Sequence, residues 1–197
     1  MTRELASHPE ELCEYLIKKR FEQVQLIPCL PLMQQDDDGM SLTPELFESF
    51  HKKFFDRWYE NHLHGGQLSV NLYENLALML SGQPPYQCGM TGNCFIQYVV
   101  EANGDVYPCD FYCLDEELLG NLSEASFSQL AASPAAGDFL KKGNCENSLC
   151  PDCPFREMCH GGCRRQNVCW LDESHCAYRS VLDHILPRLQ YLLGVKL

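Results

Sequence analysis

Apolar positions along this chain recur mostly at helical spacing. Leu46, Phe47, Phe50, Phe54, Trp58 and Leu63 form a stripe at steps of about three and four, which predicts a long helix. Thr43 suits the N-cap of that helix and Pro44 its first turn. An earlier helix over residues 8–20 starts acidic and ends basic, as the helix dipole prefers. The C-terminal segment from Ala177 is amphipathic through Val181, Leu182, Ile185, Leu186, Leu189, Leu192 and Leu193, with Pro187 expected to kink or split it. Strand signals are fewer. Phe21 to Pro28 carries Val24, Leu26 and Ile27, and residues 67–81 read as a short strand followed by a helical turn. Asn103-Gly104, between two β-prone runs, predicts a hairpin with a two-residue turn. A regular ladder from that turn sets Ala102 opposite Asp105, Tyr98 opposite Cys109 and Cys94 opposite Cys113. Residues 34–39 read as a polar loop, and residues 121–143 as a short helix with a loose Ala/Ser/Pro/Gly connection.

This pattern is α+β. Two strands within residues 1–87 can neither close a barrel nor form a buried parallel sheet, so that stretch reads as the tail of a larger α/β domain. A composition shift sets the domain boundary at Cys88, leaving residues 88–197 as a second unit. The chain of 197 residues carries a net charge of −12 without a basic block, which disfavours nucleic acid as a partner. No apolar run approaches the roughly 20 residues of a membrane span. Met1 to His8 lack the apolar core of a signal peptide, so a reducing cytoplasm is the expected compartment. His51, His62 and His64 lack metal-ligand spacing and are expected at the surface or as caps.

Thirteen cysteines change the picture. A disulfide framework fits neither the odd count nor the compartment. Cys150, Cys153, Cys159 and Cys163 follow a Cys-x2-Cys-x5-Cys-x3-Cys run; Cys88, Cys94 and Cys109 precede it and Cys176 follows. Zinc sites usually bring two close pairs, whereas such uneven spacing suits thiolates that approach the separate corners of an iron–sulfur cube. Eight thiols suffice for two four-thiolate sites. On the ideal ladder Cys94 and Cys109 lie about 13 Å apart, so one cluster spans them only if a strand bends, and Pro108 allows such a bend. By register alone, Cys113 rivals Cys109 as a ligand. Cys13 and Cys29 read as core thiols.

Cys88-x5-Cys94, the run Asn103-Gly-Asp-Val-Tyr-Pro-Cys-Asp-Phe-Tyr112, Leu119-Gly-Asn-Leu122 and the later cysteines together resemble the C-terminal part of the anaerobic sulfatase-maturating enzymes. These are radical S-adenosylmethionine proteins with a SPASM-type auxiliary-cluster domain. Thr43-Pro44 and Phe54 to Trp58 look like that family's last barrel segment. The resemblance implies a remnant of a partial (β/α) barrel over residues 1–87, then a SPASM-like domain with a hairpin and cysteine-rich loops over 88–197. It also implies two [4Fe–4S] clusters with interleaved ligands: Cys88, Cys94, Cys109 and Cys163 for one, and Cys150, Cys153, Cys159 and Cys176 for the other. Cys109 is thereby chosen over Cys113, so the ladder must depart from its ideal register near Pro108. Asp110 takes the position of the family's general base, which accepts a proton as a sulfatase Cys or Ser is oxidised to formylglycine. Cys113, Cys145 and Cys169 are left without a ligand slot. His160, Arg164 and Arg165 either tune a cluster or are exposed loop residues. The family's frequent Cys-Pro-Lys is Cys163-Arg164-Arg165 here.

The family's Cys-x3-Cys-x2-Cys loop, which holds a further cluster and S-adenosylmethionine, has no counterpart in these 197 residues. This stretch alone is therefore expected to be inactive, a truncated or split form whose partners are a sulfatase peptide and a separate radical-cofactor chain. A non-catalytic interaction module stapled by zinc or clusters is the alternative, and a third is a fragment that does not fold stably because it lacks a barrel to pack against.

Overall fold

In a computed structural model, residues 1–33, 39–143 and 147–194 are described; most of the polar loop expected at 34–39, and Cys145, fall outside them. Helices α1 (Arg3–Ala6) and α2 (Pro9–Lys18) lead to strand β1 (Gln23–Val24). Glu10 and Glu11 stand in the first turn of α2 and Lys18 in its last, each on the side the helix dipole favours. Helix α3 (Pro44–Leu63) opens where its cap predicts: Thr43 Oγ1 accepts from Leu46 N at 3.4 Å. It leads to β2 (Ser69–Val70), which pairs parallel with β1 in the register Gln23 to Ser69 and Val24 to Val70. Helix α4 (Asn71–Leu80) follows directly.

Phe47, Phe50, Phe54 and Trp58 of the predicted stripe are buried, but Leu63 is 51% exposed. At about 100° per residue Leu63 lies roughly 140° around the helix from Trp58, off the apolar face. His51 corrects the expectation in the other direction. Four residues after Phe47, it lies on the stripe and is 2% exposed, its ring 4.3 Å from that of Phe47. His62 is exposed and stacks on Trp58, and His64 Nδ1 lies 2.7 Å from Glu60 O at the helix end.

Burial holds His51 near pKa 3 instead of 6.5. The unfolded chain therefore binds a proton that the folded one refuses, and stability falls as pH drops through 6.5, levelling off below about 3. Between pH 8 and pH 5 this single group should cost about 2 kcal/mol. Urea midpoints across that range should show a shallower acid slope in His51→Leu than in the parent chain; equal slopes would refute the assignment.

The expected hairpin forms, with a different turn. Strand β3 (Val99–Val100) pairs antiparallel with β4 (Asp105–Tyr107), Val99 opposite Tyr107 and Val100 opposite Val106. Glu101 N donates to Asp105 O and Gly104 N to Glu101 O, each at 2.9 Å, so the loop holds Ala102, Asn103 and Gly104. Gly104 sits at φ +89°, which makes this the three-residue loop closed by a left-handed glycine rather than a two-residue turn. The ladder is displaced by one residue from the predicted one, and the pairing of Cys94 with Cys113 is lost. Beyond Val99 the ladder stops: Tyr98 adopts φ +55° and Gln97 N donates to Pro108 O at 2.7 Å. A third strand, β5 (Gly120–Asn121), flanks β4, and Asn121 Nδ2 bonds Asn103 O and Asp105 Oδ1 at 3.0 and 2.9 Å.

Helix α5 (Phe127–Ala131) has a capping box of Ser126 and Gln129. The connection expected to be loose is a helix as well, α6 (Pro134–Lys141), started by the same Ser/Thr-Pro signal that opens α3. A one-turn helix, α7 (Arg156–Cys159), lies within the cysteine run. Helix α8 (Ala177–Leu193) passes Pro187 without splitting, because Pro187 and Asp183, whose carbonyl loses its donor, are both exposed to water. It packs on α3 and α4, and the main apolar core draws on both sides of residue 88, from Phe50, Phe54 and Leu76 to Val181, Leu182 and Ile185. A smaller cluster of Val106, Leu119, Leu130 and Ala136 underlies the hairpin. None of the described helices is long and apolar enough to cross a membrane.

Candidate metal centres

Cys88, Cys94, Cys109 and Cys163 all line one cavity of about 260 Å³, together with Asp110 and Tyr112. Cys88 starts a 3-10 turn held by Thr91, whose N and Oγ1 donate to Cys88 O at 3.1 and 2.9 Å. Cys109 caps a second such turn, Asp110–Tyr112, just after β4. The left-handed Tyr98 swings residues 94–97 off the strand line, which removes the separation that a straight hairpin would impose. Cys163 arrives from the late loop through Gly161 and Gly162, at φ +86° and +69°. An added Cβ on Gly162 would stand 3.2 Å from the Trp170 ring. Cys113 is not in the wall; its Sγ contacts Cys109 O at 3.7 Å.

Cys150, Cys153, Cys159 and Cys176 line a second cavity, of about 290 Å³. Cys150 and Cys153 share a turn, with Cys153 N donating to Cys150 O at 3.2 Å. Cys159 ends α7, and Cys176 caps α8, its Sγ accepting from Arg179 N at 3.5 Å. A polar cluster on α3 secures that cap. Glu48 accepts from Lys52 at 2.6 Å and Ser180 at 2.7 Å and lies 2.8 Å from His175 Nε2, one residue before Cys176. Burial works to raise the Glu48 pKa, but those hydrogen bonds and the Lys52 charge outweigh it and hold it at about 2.

The electrostatics divide along the same line. Burial, foremost, pushes the Cys109 thiol up to about 12, with Asp110 and Cys163 adding to the effect. It likewise raises Cys88 and Cys94, where the neighbouring thiols are again members of the first set. Cys159 is pushed to about 12 by burial, then by Cys176, Cys150 and Cys153, all of the second set. Burial, with neighbouring thiols adding to it, thus raises Cys88, Cys94 and Cys109 at the first cavity and Cys159 and Cys176 at the second, and a bound cationic metal centre would hold them as thiolates. Every described cysteine is a free thiol.

Among the described residues, no three His, Cys, Asp or Glu side chains converge closely enough for a single metal ion. Thiolates on one zinc ion lie about 3.8 Å apart. The two sets instead frame open volumes, as a multi-iron centre requires. Such a centre therefore fits the donor sets better than a mononuclear ion does.

The iron–sulfur cluster-binding family SPASM matches residues 88–154, beginning at Cys88. A cysteine-type anaerobic sulfatase-maturating enzyme of Clostridium perfringens (strain 13 / Type A) is 33% identical over 197 residues, covering 96% of this chain and 53% of that protein. This chain is a homologue of the anaerobic sulfatase-maturating enzymes. It spans about half the length of the curated relatives it matches. A serine-type maturase of Bacteroides thetaiotaomicron is 28% identical over 160 residues, 77% of this chain and 38% of that one. The solved structure of native anSMEcpe with bound AdoMet and Kp18Cys peptide superposes with a TM-score of 0.87 at 33% identity, over 98% of this chain and 56% of that one.

Beyond the cysteines, the fold supplies neighbours that the pattern did not announce. Gln97 Nε2 donates to Cys88 Sγ at 3.3 Å, a contact that exists only because the strand breaks at Tyr98. Asp110 is exposed at the first cavity, its Oδ1 3.3 Å from Cys109 Sγ. Cys13 is fully buried on α2, as expected for a core thiol, whereas Cys29 is only half-buried and its carbonyl contacts the buried Cys169 Sγ at 3.7 Å. Arg165 donates to Pro31 O, away from both thiol sets.

Proposed function

We propose that this chain is the auxiliary iron–sulfur portion of a sulfatase-maturating system and holds two [4Fe–4S] clusters. Cys88, Cys94, Cys109 and Cys163 would ligate one, and Cys150, Cys153, Cys159 and Cys176 the other. The supporting observation is that four thiols line each of two separate cavities although the two sets cross over in sequence. When bound, such clusters carry single electrons.

The chain's own residues bind, orient and accept protons. Gln97 steadies the Cys88 sulfur, while Glu48 and His175 fix the Cys176 cap. Asp110, exposed at the mouth of the first cavity, is the group to take the proton from a substrate Cys or Ser as it is oxidised to formylglycine. The substrate is then a sulfatase peptide. With no Cys-x3-Cys-x2-Cys run in these residues, the S-adenosylmethionine step must be supplied by further sequence or by a separate chain. Residues 1–87 read as the end of a (β/α) barrel, on the ground that β1, α3 and β2 make one parallel β-α-β step. Exposed Phe21 and Ile27 flank that step where further strands would pack.

Iron and acid-labile sulfide analysis of anaerobically reconstituted protein is the test. About eight irons and eight sulfides per chain are expected. Two zincs in a colourless protein would replace this reading with the stapled interaction module. Asp110→Asn should keep the full iron content and lose formylglycine formation when the complete system is assembled.

A further inference from the structure

Arg164 follows Cys163 directly, and its side chain turns inward. Its guanidinium carbon lies 4.7 Å from the centre of the Tyr112 ring and 4.3 Å from that of Phe139. Nη1 donates to Phe139 O at 3.2 Å. Nε and Nη2 are buried and have no hydrogen-bond partner within 3.5 Å among the described residues, although the guanidinium also interacts with the Tyr112 hydroxyl and works against burial to lower its pKa. Leaving a cation's N–H groups unpaired away from water is costly, so a compensating negative charge is called for.

The surroundings indicate where that charge would stand. Tyr112 and Phe139, whose rings meet edge to face and form a corner around the guanidinium, are themselves wall residues of the first cavity. Its positive charge acts on Cys94, in the same wall. Among the described residues no Lys or Arg lines that cavity, and Arg164 lies just behind its aromatic wall. The second cavity differs. Arg156 and Arg179 line it, but both are exposed, and water and salt screen them.

We propose that Arg164 is the fixed countercharge of the centre held by Cys88, Cys94, Cys109 and Cys163 and raises the reduction potential of that centre alone. The inference rests on the cluster assignment above. Reduction adds one electron, taken from an external reductant such as dithionite, and makes the thiolate-bound centre one charge more negative. A cation whose Nε and Nη2 are shut off from water stabilises that extra charge with less screening than an exposed one. Arginine suits the role because it stays protonated and its head lies over both ring faces.

The test is an anaerobic dithionite titration, followed by electron paramagnetic resonance, of the chain with both clusters loaded. Arg164→Met, Arg164→Gln and Arg164→Lys are compared with the parent. In the two neutral variants, one midpoint should fall by about tenfold in the reduction equilibrium, about 59 mV for one electron, while the other stays in place. Lysine should restore most of the shift, which a purely structural role for the side chain would not. Met and Gln fill the slot differently, so the comparison stands on whichever keeps its iron. Midpoints that do not move, or that move together, with full iron present would overturn this inference alone. A parent chain that takes up no iron would overturn the cluster assignment with it.

Discussion

Cys163→Ser is expected to cut the iron content from about eight to about four per chain and to leave the second centre in place. Cys163 reaches back from the late loop to the cavity that also holds Cys88, Cys94 and Cys109, so the centre there closes a long stretch of chain. By the loop-closure argument used for other covalent links, a closure over some fifty residues is worth on the order of 4 kcal/mol. For a chain of this size that is roughly 8–16 °C in Tm. Cys113→Ser, by contrast, should change neither iron nor melting, because Cys113 is outside the wall. Metal analysis with thermal unfolding of the two variants decides the matter. Equal iron loss in both would mean that the hairpin keeps the ladder on which Cys113 replaces Cys109.

Phe54→Ala should destabilise the fold by about 3–5 kcal/mol, read as a lower denaturant midpoint at unchanged slope. Phe54 is fully buried on α3, its ring 5.4 Å from that of Phe50, in the core that α3 forms with α8. The structure has no ready way to fill that space, since α8 is held to α3 by polar contacts on its flank: Asp56 lies 2.7 Å from His184 Nε2 and accepts from Arg188 at 2.5 Å. Leu63→Ala on the same helix should stay within about 0.5 kcal/mol, its side chain being exposed. A loss at Phe54 no larger than that at Leu63 would mean that α8 does not pack as described.

A wrong thiol in the first cavity and a wrong leucine in the core would have the same origin. Periodicity reads one element at a time, and both errors concern how one element meets another. Leu63 continues the apolar list of α3 in sequence but not in angle, while His51, polar by type, lies on the angle that faces inward. In the hairpin, Asn103-Gly104 indicates a turn correctly but not its length. The choice between two and three residues is made by Asn121 of the third strand, which bonds Asn103 and Asp105 across the turn.

From the residues alone came the helices with clear caps, the apolar face of α3, the amphipathic C-terminal helix and a thiol count sufficient for two centres. All of these are local, set by chain geometry over a few residues. How the thiols divide between two cavities was not contained in their spacing; the family resemblance suggested a division, and it is long-range contacts that group the side chains. The break at Tyr98 lets Gln97 reach Pro108 and Cys88, the two left-handed glycines turn the chain into Cys163, and the Glu48–His175 contact joins α3 to the cap at Cys176. The countercharge at Arg164 belongs to the same class. Its meaning depends on Tyr112 and Phe139, which only the folded chain brings together around it.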